Sequence, residues 1–265
     1  MRGKEALLSR KKFFFKYIYG PVFSWRLGVS LGIDLFSCSG KICNFDCIYC
    51  QLGNTLRFTN KADIYVPVSN ITAELEQLPR VKIDYLTFSG MGEPTLAKNL
   101  GRAIKAVKSL RLAPVAVLTN SALIGQPYIR ENLSLADFVI AKLDAHSQEC
   151  LDRLNRPAKS IRFKDIVQGL KNFRKDYKGK FALQIMFVEE NKNDAAKLLK
   201  LAQGINPDEV QINTPRRPCK ERTLSKEQIA GIREDFSGLN VTSVYDIKPK
   251  KVVVFDKKET LRRRR

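Results

Sequence analysis

The sequence has one histidine and one tryptophan among 265 residues, and none of its apolar runs approaches the roughly 20 residues of a membrane span. With His146 as the only histidine, a Ser–His or Cys–His hydrolytic triad has few components to draw on, and we reject that class. Lys16 interrupts the apolar stretch that begins at Phe13 before it reaches the length of a signal-peptide core. We therefore expect a cytoplasmic protein that does not enter a membrane.

Acidic residues are scarce relative to basic ones. There are 27 Asp and Glu against 47 Lys and Arg, which gives a formal net charge of +20. This surplus favours an anionic partner such as nucleic acid. Residues 1–16 hold six basic and one acidic side chain, and residues 241–265 hold nine and three, so the two ends carry much of it. The closing run Arg262–Arg265 fits an RNA-binding tail and a solvated, disordered charge run equally well.

Cysteines are also few, and their placement is uneven. Four of the six lie within residues 38–50. In a chain without an export signal, this clustering indicates metal or redox chemistry rather than a disulfide framework.

Cys43, Cys47 and Cys50 follow a predicted strand at spacings of four and three residues. Thiolates are the usual ligands of iron–sulfur clusters, and three from one loop leave one iron of a [4Fe–4S] cluster without a nearby protein ligand. Zinc is the main alternative, but structural zinc sites typically pair their ligands as C-x2–4-C twice over, and no second pair exists here.

Strand-like and helix-like segments alternate along most of the chain. Apolar runs predict a short strand at residues 28–36 and buried strands at 83–88, 113–119, 136–143, 181–188 and 208–212. Helical patterns fall at about 70–79, 97–109, 125–134, 161–175 and 192–203, and again at 225–236 before a final strand or two within 241–255. About six βα units of this kind predict an α/β fold with a parallel sheet, wound open or curled into a barrel.

The cysteine triplet, with Tyr49 just before its last member, resembles the CxxxCxΦC signature of the radical S-adenosylmethionine (radical SAM) enzymes. Residues 89–94, Ser-Gly-Met-Gly-Glu-Pro, resemble the glycine–glutamate motif of the same superfamily, whose backbone receives the amino group of S-adenosylmethionine (SAM). Further motifs from about Tyr19 to Pro218, among them Asn155-Arg156-Pro157, look like the Fe–S oxidoreductase branch related to tRNA wyosine synthases. Wyosine synthases carry further upstream cysteines, whereas only Cys38 precedes the triplet here.

The resemblance implies a partial (β/α)6 TIM-type barrel over residues 19–222, with a basic N-terminal extension at 1–18 and a C-terminal helix/strand extension with a basic tail at 223–265. It also implies reductive cleavage of SAM at a [4Fe–4S] cluster to a 5′-deoxyadenosyl radical, which abstracts hydrogen from a substrate. An external one-electron donor such as flavodoxin or ferredoxin would reduce the cluster.

Roles for individual residues follow from the resemblance. Cys43, Cys47 and Cys50 would hold the cluster, Tyr49 would lie against the adenine, and Gly90, Gly92 and Glu93 would meet the methionine end of SAM. The remaining candidates for cofactor contact are polar residues at or near predicted strand ends, namely Asn120, Lys142, Asp144, Gln184 and Asn213. Asp144 is also a candidate helix N-cap, and hydrogen bonding within the core explains Gln184, Gln211 and Asn213 about as well as ligand binding does.

The substrate is suggested only by charge. Two basic groups should lie near the barrel mouth, and they consist of Arg153, Arg156, Lys159, Arg162 and Lys164, and of Arg216, Arg217, Lys220 and Arg222. Together with the basic ends they favour an RNA substrate, plausibly tRNA. Cys219 lies in the second group, where neighbouring positive charge would favour a thiolate. This cysteine could serve as an accessory ligand or, as a thiol, donate a hydrogen atom, although a simple loop cysteine is the plainer interpretation.

Two alternatives remain open at this point. The same chemistry could act on a small molecule or a peptide. The chain could also be a non-catalytic iron–sulfur electron carrier or RNA-binding protein, which would need a fourth cysteine ligand, with Cys38 the nearest candidate.

Overall fold

A computed structural model describes residues 15–264, so residues 1–14 of the predicted basic N-terminal extension and the final Arg265 lie outside the described part. The strands are β1 (Ile18–Ser24), β2 (Gly28–Ile33), β3 (Lys41–Cys43), β4 (Thr55–Phe58), β5 (Tyr85–Phe88), β6 (Val115–Thr119), β7 (Phe138–Lys142), β8 (Lys180–Met186), β9 (Glu209–Asn213) and β10 (Val241–Ser243). Eight of them form one sheet in the order β1-β2-β5-β6-β7-β8-β9-β10, while β3 and β4 form a separate parallel pair.

The helices are α1 (Val68–Glu76), α2 (Leu100–Ser109), α3 (Pro127–Leu133), α4 (Gln148–Leu154), α5 (Phe163–Asp176), α6 (Ala195–Ile205), α7 (Lys226–Asp235) and α8 (Lys257–Arg263). Local sequence explains several of their ends. Ser147 caps α4 by accepting a hydrogen bond from the Cys150 backbone, and Ser225 caps α7 in a capping box with Gln228. None of the helices within residues 15–264 combines the length and the apolar character needed to cross a bilayer.

All neighbouring strands from β2 to β10 in the main sheet are parallel, and only β1 runs antiparallel to its neighbour. The sheet curls into an open half-barrel, which confirms the predicted partial TIM-type barrel. Each predicted strand of the barrel and each predicted helix is present, with ends shifted by a few residues. The expected strands at 241–255 reduce to the three residues of β10, and Pro249 lies in an irregular segment that leads to α8.

The two faces of the sheet bury different residues. Along β7, Val139 and Ala141 belong to the main core under the helices, whereas Phe138 and Ile140 belong to a small separate core inside the curl. This inner core also contains Leu27, Ala116 and Ala182. Because side chains alternate across a strand, the inner positions that come next are Leu118, Lys142 and Gln184, toward the carboxyl ends of β6, β7 and β8. The curl is therefore closed by apolar side chains at one end, and polar side chains, Lys142 and Gln184, join Leu118 toward the other.

Within the described residues, the C-terminal arginine run is not uniformly exposed to solvent. Arg263 is at the end of α8, its side chain is fully buried, and its guanidinium Nε donates to Asp34 at 2.7 Å. The expectation of a disordered or RNA-grasping tail is therefore wrong for Arg263, because a carboxylate that is far away in sequence draws it into the protein interior.

Candidate functional site

The central cavity of the half-barrel opens at the carboxyl ends of the strands. Among its lining residues are eleven of the twelve residues that the sequence analysis assigned to the metal and the cofactor, namely Cys43, Cys47, Cys50, Tyr49, Gly90, Gly92, Glu93, Asn120, Lys142, Gln184 and Asn213. Parallel strands deliver their following loops to one end of a barrel, which explains why segments so distant in sequence meet here. The cavity has a volume of about 260 Å³.

The cysteine loop begins at β3 and is held by the glycine–glutamate segment. The Ile42 backbone donates to Met91 O at 2.9 Å, and the Glu93 backbone donates to Ile42 O at 3.1 Å. A Cβ added to Gly92 would lie 2.1 Å from Ile42 O, so only glycine allows this approach. The two motifs recognised in the sequence are therefore joined by direct backbone pairing.

Amide groups of two asparagines point at the sulfurs. Asn120 Nδ2 lies 3.6 Å from Cys43 Sγ, and Asn155 Nδ2 lies 3.4 Å from Cys47 Sγ. Hydrogen bonds to cysteine sulfur are among the means by which proteins tune iron–sulfur clusters. In the metal-free chain, burial raises the pKa of the Cys43 thiol to about 12, so that metal binding there must release its proton.

Lys41 tests whether the loop suits a cluster. Its side chain is only 4% exposed, its Nζ makes no hydrogen bond within the standard distance to any described residue, and Asp46 lies 3.8 Å away. The neighbouring thiolates raise the pKa of this lysine even though burial opposes its charge. A buried ammonium beside three cysteines provides the positive charge that a thiolate-bound, negatively charged cluster requires. The donor set and its surroundings therefore fit a [4Fe–4S] cluster.

Tyr49 and Asp144 form a buried network rather than two independent contacts. The Tyr49 hydroxyl donates to Asp144, and Asn155 Nδ2 donates to the Tyr49 hydroxyl at 2.6 Å. Asp144 also accepts from the Met186 backbone at 2.7 Å and lies 3.3 Å from Lys142 Nζ. Every oxygen of Asp144 is thus used inside the protein, and it is not among the residues that line the central cavity. The alternative role as an N-cap is also not observed, because Ser147 caps the following helix.

Glu93 is 3% exposed and joins the glycine–glutamate segment to the end of β6. It accepts from the Thr119 hydroxyl and the Asn120 backbone, both at 2.6 Å, and from Thr95. Burial raises the pKa of this carboxyl despite these donors. Gly90, with φ +144°, leaves room for Asp34, which would lie 2.5 Å from an added Cβ.

The remaining polar candidates divide between ligand-facing and structural positions. Gln184 and Asn213 line the cavity, whereas Gln211 does not and donates to Glu209 at 3.0 Å. Cys38 donates to Gly40 O and is also absent from the cavity lining, so it is not placed to supply the fourth ligand that a non-catalytic cluster would need.

Cys219 lies on the other side of the cysteine loop, in a separate cavity that it lines with Cys47 and Cys50. Burial raises the pKa of Cys219 and outweighs the nearby Arg217, and the thiol donates to Glu221 O, which favours the simple loop cysteine over the thiolate. Loop position and local basic charge in the sequence did not reveal this burial.

Among the lining residues that the sequence analysis did not assign to the site are three with charged or amide side chains, namely Arg26, Lys41 and Gln51. Arg26 precedes β2 and reaches the cavity from the closed end of the barrel, and Gln51 accepts from Arg217 Nε at 2.6 Å. Nothing in the sequence separates these three residues from other polar residues of the chain.

Comparisons with known proteins agree with this geometry. A sequence profile described as the Radical SAM superfamily matches residues 38–202. The chain is 40% identical over 205 residues to UPF0026 protein slr1464 of Synechocystis, covering 77% of each chain, and 34% identical over 218 residues to UPF0026 protein MJ1312 of Methanocaldococcus jannaschii, covering 80% of this chain and 67% of that one. The relatives named here are UPF0026 proteins and not wyosine synthases, so the resemblance to the wyosine branch holds only at the level of the superfamily.

Solved structures share the fold. SuiB of Streptococcus suis bound to S-adenosylmethionine superposes with a TM-score of 0.62 at 15% identity, over 80% of this chain and 50% of that one. The present chain therefore spans about half the length of SuiB. At this level of identity the match concerns the architecture of the barrel.

Proposed function

Because the chain belongs to the radical SAM superfamily, and is thus a radical SAM enzyme with a [4Fe–4S] cluster and SAM as cofactors, we propose that Cys43, Cys47 and Cys50 hold the cluster. We also propose that the enzyme modifies an RNA. When bound, these cofactors supply a 5′-deoxyadenosyl radical by reductive cleavage of SAM, and the radical removes a hydrogen atom from the substrate. The enzyme needs an electron donor, for which we propose flavodoxin or ferredoxin.

The residues of the chain provide the binding and orientation around this chemistry. Lys41 balances the charge on the thiolates, and the Asn120 and Asn155 amides orient two of the sulfurs. The backbone of residues 90–92 is held open by its pairing with β3 and receives the methionine end of SAM. The apolar inner core below the cavity excludes water from the closed end of the barrel, which protects a reactive radical from side reactions.

The observation that supports RNA is the meeting of both predicted basic groups around the cysteine loop. Arg156, Lys159 and Arg162 line a wide cavity of about 750 Å³ together with Asp46 of that loop. Arg156 also lines the cavity beside Cys219, together with Lys220, Cys47 and Cys50. These cations are exposed, so they are available to a large anion. Exposed cations spread around one opening suit a polyanion better than a small metabolite.

Reconstitution with iron and sulfide under anaerobic conditions tests the cluster assignment. We expect Cys43→Ala, Cys47→Ala and Cys50→Ala each to lose bound iron and the formation of 5′-deoxyadenosine with dithionite and SAM. Cys38→Ala and Cys219→Ala are the matched controls and should keep the iron. Loss of the cluster in Cys38→Ala alone, with full retention in the three loop variants, would contradict the assignment.

Binding of unfractionated tRNA tests the substrate proposal. We expect affinity to fall steeply with salt and to weaken in a Lys159→Ala/Arg162→Ala variant, because each phosphate contact releases counterions. Lys105→Ala/Lys175→Ala removes the same charge from exposed positions on α2 and α5 and should change binding less. Equal affinity in both variants and at all salt concentrations would remove RNA from the account. Transfer of deuterium from labelled RNA into 5′-deoxyadenosine would identify it as the substrate.

A further inference from the structure

A second cavity lies inside the half-barrel beside the central one. The two cavities share part of their lining, including Arg26, Arg217, Ser89 and Gly90, so they form one connected space. The second cavity, of about 190 Å³, is bounded by inner-face residues of the sheet such as Ser30 and by arginines from three separate segments. Those arginines are Arg26, Arg217, Arg263 and Arg264.

Two of these guanidinium groups have buried donors without acceptors. Arg26 Nε and Nη1 and Arg217 Nη1 are buried and make no hydrogen bond to any residue in the described range 15–264. Arg217 donates only its Nε to a neutral partner, Gln51. Arg26 is held by stacking on Trp25, with its Cζ 4.8 Å from the ring centroid, a contact that uses none of its N–H groups.

Acidic residues that could neutralise these charges are occupied elsewhere. No Asp or Glu of the described residues lines the second cavity. Asp34 pairs with Arg263, and Glu93 accepts from its own hydroxyl and backbone donors. Glu209 is close enough to favour the charge of Arg26 but forms an ion pair of 2.6 Å with Lys180. The excess positive charge facing the cavity is therefore uncompensated within the described protein.

Burial and the positive charge of neighbouring arginines act on both groups in the same direction. They lower the pKa of Arg26 and of Arg217 to about 10, with Arg264 adding to the repulsion in each case. Both arginines still carry their charge near pH 7. Buried charges normally have a counter-charge and hydrogen-bond partners, since without them desolvation is costly. Arg26 and Arg217 lack these partners and face one cavity, which points to a ligand that supplies both a counter-charge and hydrogen-bond acceptors.

We propose that Arg26 and Arg217 form an anion subsite that binds a phosphoryl group of the substrate inside the barrel, next to the SAM site. This deepens the proposed function and rests on it, because an RNA substrate carries such groups. A phosphoryl group provides several acceptor oxygens for guanidinium N–H groups that lack partners, and its charge matches two or more arginines. Arg264 adds a third guanidinium at the edge of the cavity, and Ser24 and Ser30 add hydroxyl groups. The site differs from the exposed basic rim, since its guanidinium donors include buried N–H groups and its cavity of about 190 Å³ accepts one group rather than a chain.

The first test measures binding of inorganic phosphate to the reconstituted enzyme by anaerobic calorimetry. We expect Arg26→Gln and Arg217→Gln each to weaken phosphate binding by about tenfold or more, since each removes charge-assisted hydrogen bonds. Arg102→Gln is the matched control on the exposed surface of α2 and should bind as the unmodified enzyme does. Arg26→Lys keeps the positive charge but lacks the paired N–H donors of the guanidinium, so its phosphate affinity should lie between those of the unmodified enzyme and Arg26→Gln.

SAM affinity, measured on the same variants, separates the subsite from a role in binding the SAM carboxylate. The proposal requires the loss of phosphate affinity to exceed any loss of SAM affinity by at least about tenfold. If SAM binding falls as much as phosphate binding, or if phosphate binds all variants equally, the subsite is refuted. Thermal unfolding adds a second readout. Phosphate should raise the midpoint of the unmodified enzyme but not that of Arg26→Gln.

Two ligands then distinguish the source of the phosphoryl group. Tighter binding of a short oligoribonucleotide than of a nucleoside monophosphate, with both dependent on Arg26, supports the subsite and assigns it to RNA. Equal affinity for the oligoribonucleotide and the nucleoside monophosphate supports the subsite and assigns it to a small phosphorylated metabolite. The RNA function is refuted separately if tRNA affinity does not change in the Lys159→Ala/Arg162→Ala variant. Neither ligand depending on Arg26 would overturn the subsite.

Discussion

The ion pair between Arg263 and Asp34 offers the sharpest test of how the C-terminal helix is attached. Both side chains are fully buried, and the Arg263 guanidinium also donates to Glu259 at 2.7 Å and to the backbone carbonyl of Lys16. The other carboxylate oxygen of Asp34 accepts from the Met91 backbone at 3.2 Å, within the glycine–glutamate segment. The pair therefore links α8 to the wall of the candidate SAM site.

Replacing Arg263 with Met keeps most of the buried stem and removes the charge. Breaking a buried ion pair by removal of one partner costs about 3–5 kcal/mol, because the remaining charge stays buried. Two backbone donors remain on Asp34, at the Phe36 and Met91 amides, so we expect a value near the lower end, about 3 kcal/mol. At a urea slope of about 3 kcal/mol/M, this moves the midpoint of unfolding by about 1 M.

Urea titration followed by fluorescence of the single tryptophan measures this shift. Arg262→Met is the matched control, since Arg262 is 27% exposed and pairs with the same Glu259, and we expect it to cost under about 1 kcal/mol. In a double-mutant cycle, Asp34→Asn should lose most of its effect once Arg263 is already Met. Equal destabilisation by Arg263→Met and Arg262→Met would refute the reasoning and return the C-terminal arginines to a solvated run.

Two further substitutions probe the candidate site. Gly92→Ala should abolish measurable SAM binding and lower the thermal midpoint, because its Cβ would lie 2.1 Å from Ile42 O; unchanged SAM affinity in calorimetry would contradict the backbone pairing of the two motifs. Tyr49→Phe removes the hydroxyl shared with Asp144 and should cost about 1–3 kcal/mol in urea unfolding, as it leaves buried polar groups without a partner. A neutral effect of Tyr49→Phe would mean that Asp144 is satisfied without it.

The barrel and its central site were largely predictable because both depend on short-range patterns. Strands such as β6 and β7 are apolar on both faces, and this produces continuous runs rather than alternation. The cysteine triplet and the glycine–glutamate segment each follow a predicted strand, so both were expected at the same end of the sheet. The strand β1 was missed because Gly20 and Pro21 interrupt its sequence, and proline is normally confined to the edges of sheets, where β1 lies.

Buried charges were not predictable in the same way. Nothing near Arg26, Lys41 or Arg263 in the sequence separates them from the other basic residues, since their surroundings come from distant segments. Asp34 and Arg263 are 229 residues apart, and Arg217 reaches Gln51 across 166. The burial that raises the pKa of Cys219 is equally non-local, which is why its basic neighbours suggested a thiolate.

The interior cations also change how the net charge of the chain relates to function. A surplus of basic residues at exposed positions attracts any polyanion, and such attraction fades with salt. Lys41 and Arg26 instead both line the central cavity, the former beside three thiols and the latter also lining a second cavity that no described acid lines. Charges that are buried in this way are screened little, so their effect should persist at salt concentrations that weaken the exposed rim. Under the two proposals, the salt dependence of binding would therefore separate the two layers: the rim would set how tightly an anion is drawn to the opening, and the interior arginines would select the group that enters.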